Sequence, residues 1–114
     1  MIIGTEDDRR IFARFAVENV PADITVPGAQ RPERAECYDL SASGVGVVVD
    51  AQLVPLTTVG LELHLPKVRS VFKSFANVVW SKQIHEGKWR AGLEFTTLDF
   101  MGLTKIFAQA FPRV

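Results

Sequence analysis

Asp39-Leu40-Ser41-Ala42-Ser43-Gly44-Val45-Gly46-Val47-Val48-Val49 changes character at Gly44. Up to the glycine, Asp39 and Ser41 carry short side chains that can bond nearby backbone amides, and Gly44 tolerates positive φ or a close backbone approach. From the glycine onward the run is β-branched, which suits a strand. Arg34 to Leu40, just before, also reads as a strand, so the block is a turn between two strands.

Working outward, a period of two holds almost everywhere. Upstream, Phe12, Arg14 and Ala16 alternate with Ala13, Phe15 and Val17, and Ala22 to Val26 forms a short return strand bounded by Pro21 and Pro27. Val26 to Glu33 is a proline- and glycine-containing loop. Downstream, Val59 to Leu65 alternates until Pro66, with Leu61, Leu63 and Leu65 on one face and Glu62 and His64 on the other. Val71 to Trp80 pairs with Trp89 to Phe95 through the turn His85-Glu86-Gly87-Lys88, giving an antiparallel hairpin.

The end of the chain switches period. Asp99 can cap a helix whose apolar positions Phe100, Leu103, Ile106, Phe107 and Ala110 follow helical spacing until Pro112, with Leu98 and Leu103 as a hydrophobic staple. Many short strands followed by one amphipathic helix predict a mainly β fold.

Composition bounds what such a fold can do. With 114 residues and 47% hydrophobic content, the chain holds one core. Thirteen Lys and Arg balance thirteen Asp and Glu, so there is no general basic field for nucleic acid. An anionic ligand must be held by a local cluster. The single Cys37 cannot form an intramolecular disulfide, and neither it nor His64 and His85 makes a metal-ligand spacing, so no metal is expected. The N-terminus lacks a signal-peptide pattern, and no apolar run reaches the roughly twenty residues of a membrane span. A cytoplasmic protein without membrane insertion is the expectation.

The local cluster is Arg9-Arg10-Ile11-Phe12-Ala13-Arg14. Three guanidiniums within six residues are planar donor forks for phosphate or for the O6/N7 edge of guanine. Taken with Asp39-Leu40-Ser41-Ala42-Ser43-Gly44, the chain resembles the PilZ domain family, whose hallmark is R-x-x-x-R followed by D/N-x-S-x-x-G. Those motifs are Arg10 to Arg14 and Asp39, Ser41 and Gly44 here, and Gly92-Leu93-Glu94-Phe95 matches a later G-x-x-F strand.

The resemblance implies a small antiparallel six-stranded β-barrel with a C-terminal α-helix. Within a single domain of residues 1–114, residues 1–12 would be a flexible arginine-bearing segment, 13–97 the barrel and 99–111 the helix. It implies a receptor for cyclic di-GMP that orders the arginine segment on binding and signals to a partner protein not identifiable from sequence. The ligand site would comprise Arg9, Arg10, Arg14, Asp39, Ser41, Gly44 and Trp80. Asp39 would accept from guanine N1 and N2 donors, Ser41 would offer a hydroxyl to base or phosphate, and Gly44 would let the backbone approach. An arginine at position 9 is associated in the family with binding the messenger as a stacked dimer.

Other readings compete at each position. The arginines could be a solvated stretch balancing Glu6, Asp7 and Asp8, and Asp39 to Gly44 could be a turn without a ligand. Trp80 reads first as core or rim packing. Trp89 and Phe72, Phe75, Phe95, Phe100, Phe107 and Phe111 read as core or helix-docking residues, and Cys37 as a small buried hydrophobe. His64 and His85 read as surface residues with no carboxylate partner at a recognisable spacing. No hydrolase, metalloprotease or phosphate-loop motif is present, so catalysis is not expected and no cofactor is implied. The competing function is a nucleotide-independent adaptor of the same fold, for motility or secretion machinery.

Overall fold

The computed structural model describes residues 14–97 and 100–110. Six strands, β1 (Phe15–Thr25), β2 (Glu33–Leu40), β3 (Gly44–Val49), β4 (Thr58–Leu65), β5 (Ser70–His85) and β6 (Lys88–Phe95), precede one helix, α1 (Phe100–Ala110). All neighbouring pairs are antiparallel, and the sheet closes in the order β1-β2-β3-β6-β5-β4. The expected six-stranded barrel with a C-terminal helix is the observed architecture.

The barrel closes where β1 pairs with β4 over residues 22–25, and the strands that form it turn a set of apolar side chains inward. Val45, Val47 and Val49 of β3 and Leu61, Leu63 and Leu65 of β4 point inward and are buried with Val20, Ile24, Leu40, Val78, Ala91 and Leu93. Phe72 and Phe95 meet edge to face, their ring centroids 5.1 Å apart. Cys37 is buried among these residues, as expected.

The first strand departs from the sequence reading. Instead of two short strands meeting at Pro21, β1 runs unbroken from Phe15 to Thr25. Against β2 its register moves from Ala16↔Asp39 to Val20↔Cys37, so extra β1 residues are taken up in a bulge where Asn19 adopts φ 60°. Asparagine tolerates that left-handed conformation better than most residues. Pro21 follows the bulge, before β4 begins pairing at Ala22, which is where a strand accommodates a missing N–H. β5 is also longer than expected: it continues past Trp80 to His85 and turns back through Glu86 and Gly87, the latter at φ 76°.

Helix α1 packs on the 3-10 turn Pro66–Val68 that follows β4. Ile106 is fully buried, and the buried Gln109 side chain accepts the Lys67 backbone N–H at 2.9 Å. The capping Asp99 and the Leu98 staple lie outside the described residues, as do Phe111 and Pro112. Among the described residues no helix is long and apolar enough to cross a membrane. Phe75, expected in the core or at the helix, is instead 65% exposed, because it falls on the outward parity of β5 between inward Phe72 and Ala76.

Candidate functional site

The outer wall formed by β2, β3, β6 and β5 is built around two facing glycines. Gly46 of β3 pairs with Gly92 of β6, Asp39 of β2 pairs with Gly46, and Trp80 of β5 pairs with Gly92. These four residues form one row across adjacent strands, about 14 Å from end to end at ordinary strand spacing. Neither end would lie on the glycines without a local irregularity. The β2–β3 register shifts between Cys37 and Asp39, and the β5–β6 register shifts between Val78 and Trp80.

The glycines are a floor for those side chains. A Cβ on Gly46 would come within 2.6 Å of the Tyr38 ring and 2.7 Å of Asp39 Oδ1, while one on Gly92 would run into the Trp80 indole nitrogen. Trp80 is therefore held flat against the barrel exterior while 40% exposed. The guanidinium of Arg90, on β6, lies over the Tyr38 ring at 4.9 Å, a cation–π arrangement. Burial first, and then the charge of Asp39, push the Tyr38 phenol above its ordinary pKa, so it stays neutral at physiological pH.

Arg14, immediately before β1, donates from Nη1 to Asp39 Oδ1 at 3.0 Å. This contact joins the two sequence motifs directly. With the two side chains 50% and 21% exposed, the pair contributes little to stability, on the order of 0–1 kcal/mol. It opens at low cost when a better partner arrives.

Ser41 and Gly44 sit beneath this surface. The Ser41 backbone N–H donates to Gly44 C=O at 2.9 Å, and Ser41 Oγ receives the N–H groups of Gly44 at 3.1 Å and Ser43 at 3.2 Å. Both residues are buried, and the hydroxyl is committed to the turn. At Gly44 the demand for glycine comes from packing, since a Cβ there would collide with the Leu93 carbonyl of β6. The close approach expected at this position is thus made by the protein's own backbone. Cys37 Sγ donates to the Asp39 carbonyl at 3.0 Å, and burial, assisted by the Asp39 charge, pushes its thiol up to about 12. It stays protonated and unreactive at neutral pH.

Of the residues singled out from sequence, the structure brings Arg14 and Asp39 into contact, puts Trp80 on the same wall and buries Ser41 and Gly44 in the adjoining turn. Arg9 and Arg10 lie outside the described residues. Sequence reasoning missed Tyr38, Gly46, Gly92 and Arg90 as parts of this surface. The available signal was a glycine on the solvent parity of a β-branched strand, which marks a close approach. His64 differs from its reading too: Asp23 Oδ2 lies 3.2 Å from its Nε2, brought there by strand pairing rather than by nearness in sequence.

The chain matches the family model for the PilZ domain over residues 8–109. No curated protein matches it by sequence. Among solved structures it is similar to the PilZ domain with c-di-GMP of YcgR from Escherichia coli, with a TM-score of 0.72 at 16% identity, covering 90% of this chain and 88% of that one. It is also similar to full YcgR in complex with c-di-GMP from Escherichia coli (TM-score 0.71, 19% identity, 87% of this chain) and to the Bacillus subtilis inhibitor of motility MotI/DgrA (0.71, 18%, 86%). It spans 43% and 47% of those two longer chains. At these identities the likeness establishes the shared fold.

Proposed function

Since the chain belongs to the PilZ domain family, we propose that it is a receptor for cyclic di-GMP, with the ligand seated on the outer wall of β2, β3, β6 and β5. The observation that carries this reading is the 3.0 Å contact between Arg14 and Asp39, one residue from each motif, at the edge of a glycine floor.

Arg14 and Asp39 satisfy each other's charge. On binding, the Asp39 carboxylate exchanges its guanidinium for the N1–H and N2–H donors of a guanine. Arg14 is then free to fork onto O6/N7 or onto a phosphate. Arg10 and Arg9 act with it against the phosphates, and Arg9 offers a stacking surface for a second nucleotide. Glycines 46 and 92 let a flat base approach the sheet, and Trp80 supplies an aromatic face. Ser41 serves by fixing the turn that sets Asp39, and Gly44 by letting β3 close against β6.

The ligand is bound and not transformed: among the described residues this surface offers charge, stacking and hydrogen bonds but no activated nucleophile. A ligand that binds only the arrangement with the arginine segment folded over it shifts the population toward that arrangement. A partner protein then reads the changed surface. A cytoplasmic setting accords with this role.

Calorimetric titration with cyclic di-GMP, with GTP and cyclic di-AMP as controls, tests the reading. Selective binding is expected, weakened by about 1–3 kcal/mol in each of Arg10→Ala, Arg14→Ala and Asp39→Ala, roughly 5- to 150-fold. Saturation at two ligands per protomer would support the Arg9 role, and saturation at one would remove it. Absence of heat and of a thermal shift would move the function to the nucleotide-independent adaptor.

A further inference from the structure

On the other side of the barrel, β1 and β4 bring three potential ligand atoms together. Asp23 and Glu62 are directly paired across the two strands, and His64 follows Glu62 on the same outward face. His64 Nε2 lies 3.2 Å from Asp23 Oδ2 and 3.9 Å from Glu62 Oε1, and one ligand atom from each residue falls within 4.8 Å of the others. Donors that share a metal at bonds of about 2.0–2.1 Å in tetrahedral geometry stand about 3.3–3.4 Å apart. The observed separations bracket that value.

The surroundings match the pattern of a metal ligand held by outer partners. Asp23 Oδ1 is buried and accepts no hydrogen bond, though Arg34 Nε stands 3.0 Å away as an ion-pair partner. Oδ2 is the oxygen that faces the imidazole. Arg34 on the far oxygen is placed as an outer partner that fixes a monodentate carboxylate. Lys73 Nζ is the competing cation, 3.7 Å from Glu62 Oε2 and largely exposed, so it can leave for solvent. Asp23 and Glu62 also border a groove of about 670 Å³ that Lys73 and the exposed Phe75 line, which leaves room for water to complete a coordination sphere.

We propose that Asp23, Glu62 and His64 form a divalent transition-metal site, with one imidazole nitrogen and two carboxylate oxygens as ligands. That donor set suits Zn²⁺ or Co²⁺ over the all-oxygen preferences of Mg²⁺ and Ca²⁺. The site lies on the β1–β4 seam, across the barrel from the Gly46–Gly92 pair, and does not depend on nucleotide binding.

The test is titration of the untagged protein with Zn²⁺, and with Co²⁺ read by its visible absorption. One equivalent is expected to bind, with affinity reduced about tenfold or more in both His64→Ala and Glu62→Gln. His85→Ala should change nothing, Lys73→Ala should tighten binding by removing the competing cation, and cyclic di-GMP titration should read the same in every variant. Thermal melts establish that each variant is folded; should His64→Ala fail to fold, Glu62→Gln and Lys73→Ala decide. Absence of a stoichiometric Zn²⁺ site, or Zn²⁺ binding indifferent to Glu62→Gln and Lys73→Ala, overturns the proposal.

Discussion

Asp39 divides its work between backbone and side chain. Its carbonyl accepts the Cys37 thiol while its carboxylate faces Arg14, so the residue that presents charge to the exterior is also tied to the core. Below about pH 9 the Cys37 thiol is protonated in both the folded and unfolded chain. Above that pH the unfolded chain releases the proton first, binds fewer protons than the native state, and stability falls as pH rises toward about 12. Urea denaturation from pH 8 to 11 should show this decline, shallower in Cys37→Ala, and native Cys37 should resist alkylation at pH 8. Ser41 makes a separate prediction. Removing its hydroxyl in Ser41→Ala strands the amides of Ser43 and Gly44 and should cost about 1–3 kcal/mol in the same assay, whether or not ligand is present. The sequence singled out Ser41, but a serine in D-x-S-x-x-G looks the same whether its hydroxyl faces a ligand or its own turn. The hydrogen bonds that Ser41 Oγ receives from the Ser43 and Gly44 amides distinguish them.

At the scale of elements, what was legible followed parity. Strand β4 read directly from its alternation, because one face is buried and the other is not, and β3 read from its β-branched run, five of whose six residues are buried. Bulges defeat that reading: β1 looked like two strands because Pro21 read as a boundary, whereas the strand runs through it after a bulge that sets four β1 residues against two of β2. The same irregularities build the site. The β2 and β5 register shifts set Tyr38, Asp39 and Trp80 over Gly46 and Gly92, a cross-strand neighbourhood that linear sequence does not display. Gly92→Ala should therefore lift Trp80 off the sheet with modest loss of stability, because the obstructing atoms belong to a side chain that can swing away. In a Trp89→Phe background, its fluorescence should shift to the red and cyclic di-GMP affinity should fall. Gly44→Ala meets backbone instead and should destabilise the fold far more in a thermal melt.

Across the whole molecule, closure of the barrel sorts chemistry onto different walls. The glycine-floored wall of β2, β3, β6 and β5 carries Arg14, Asp39, Arg90 and Trp80, while the β1–β4 seam carries Asp23, Glu62 and His64. Composition already pointed away from a general polyanion surface, since balanced charge leaves recognition to such local clusters. It could not place the clusters, because strand order in a closed sheet is not the order of the chain. The most direct test of the account is amide chemical-shift mapping of the labelled protein during cyclic di-GMP titration. The account predicts perturbations at Asp39, Gly46, Gly92 and the Trp80 indole, with the β1–β4 seam unchanged; shifts centred on Asp23, Glu62 and His64, or none at saturating ligand, would contradict it.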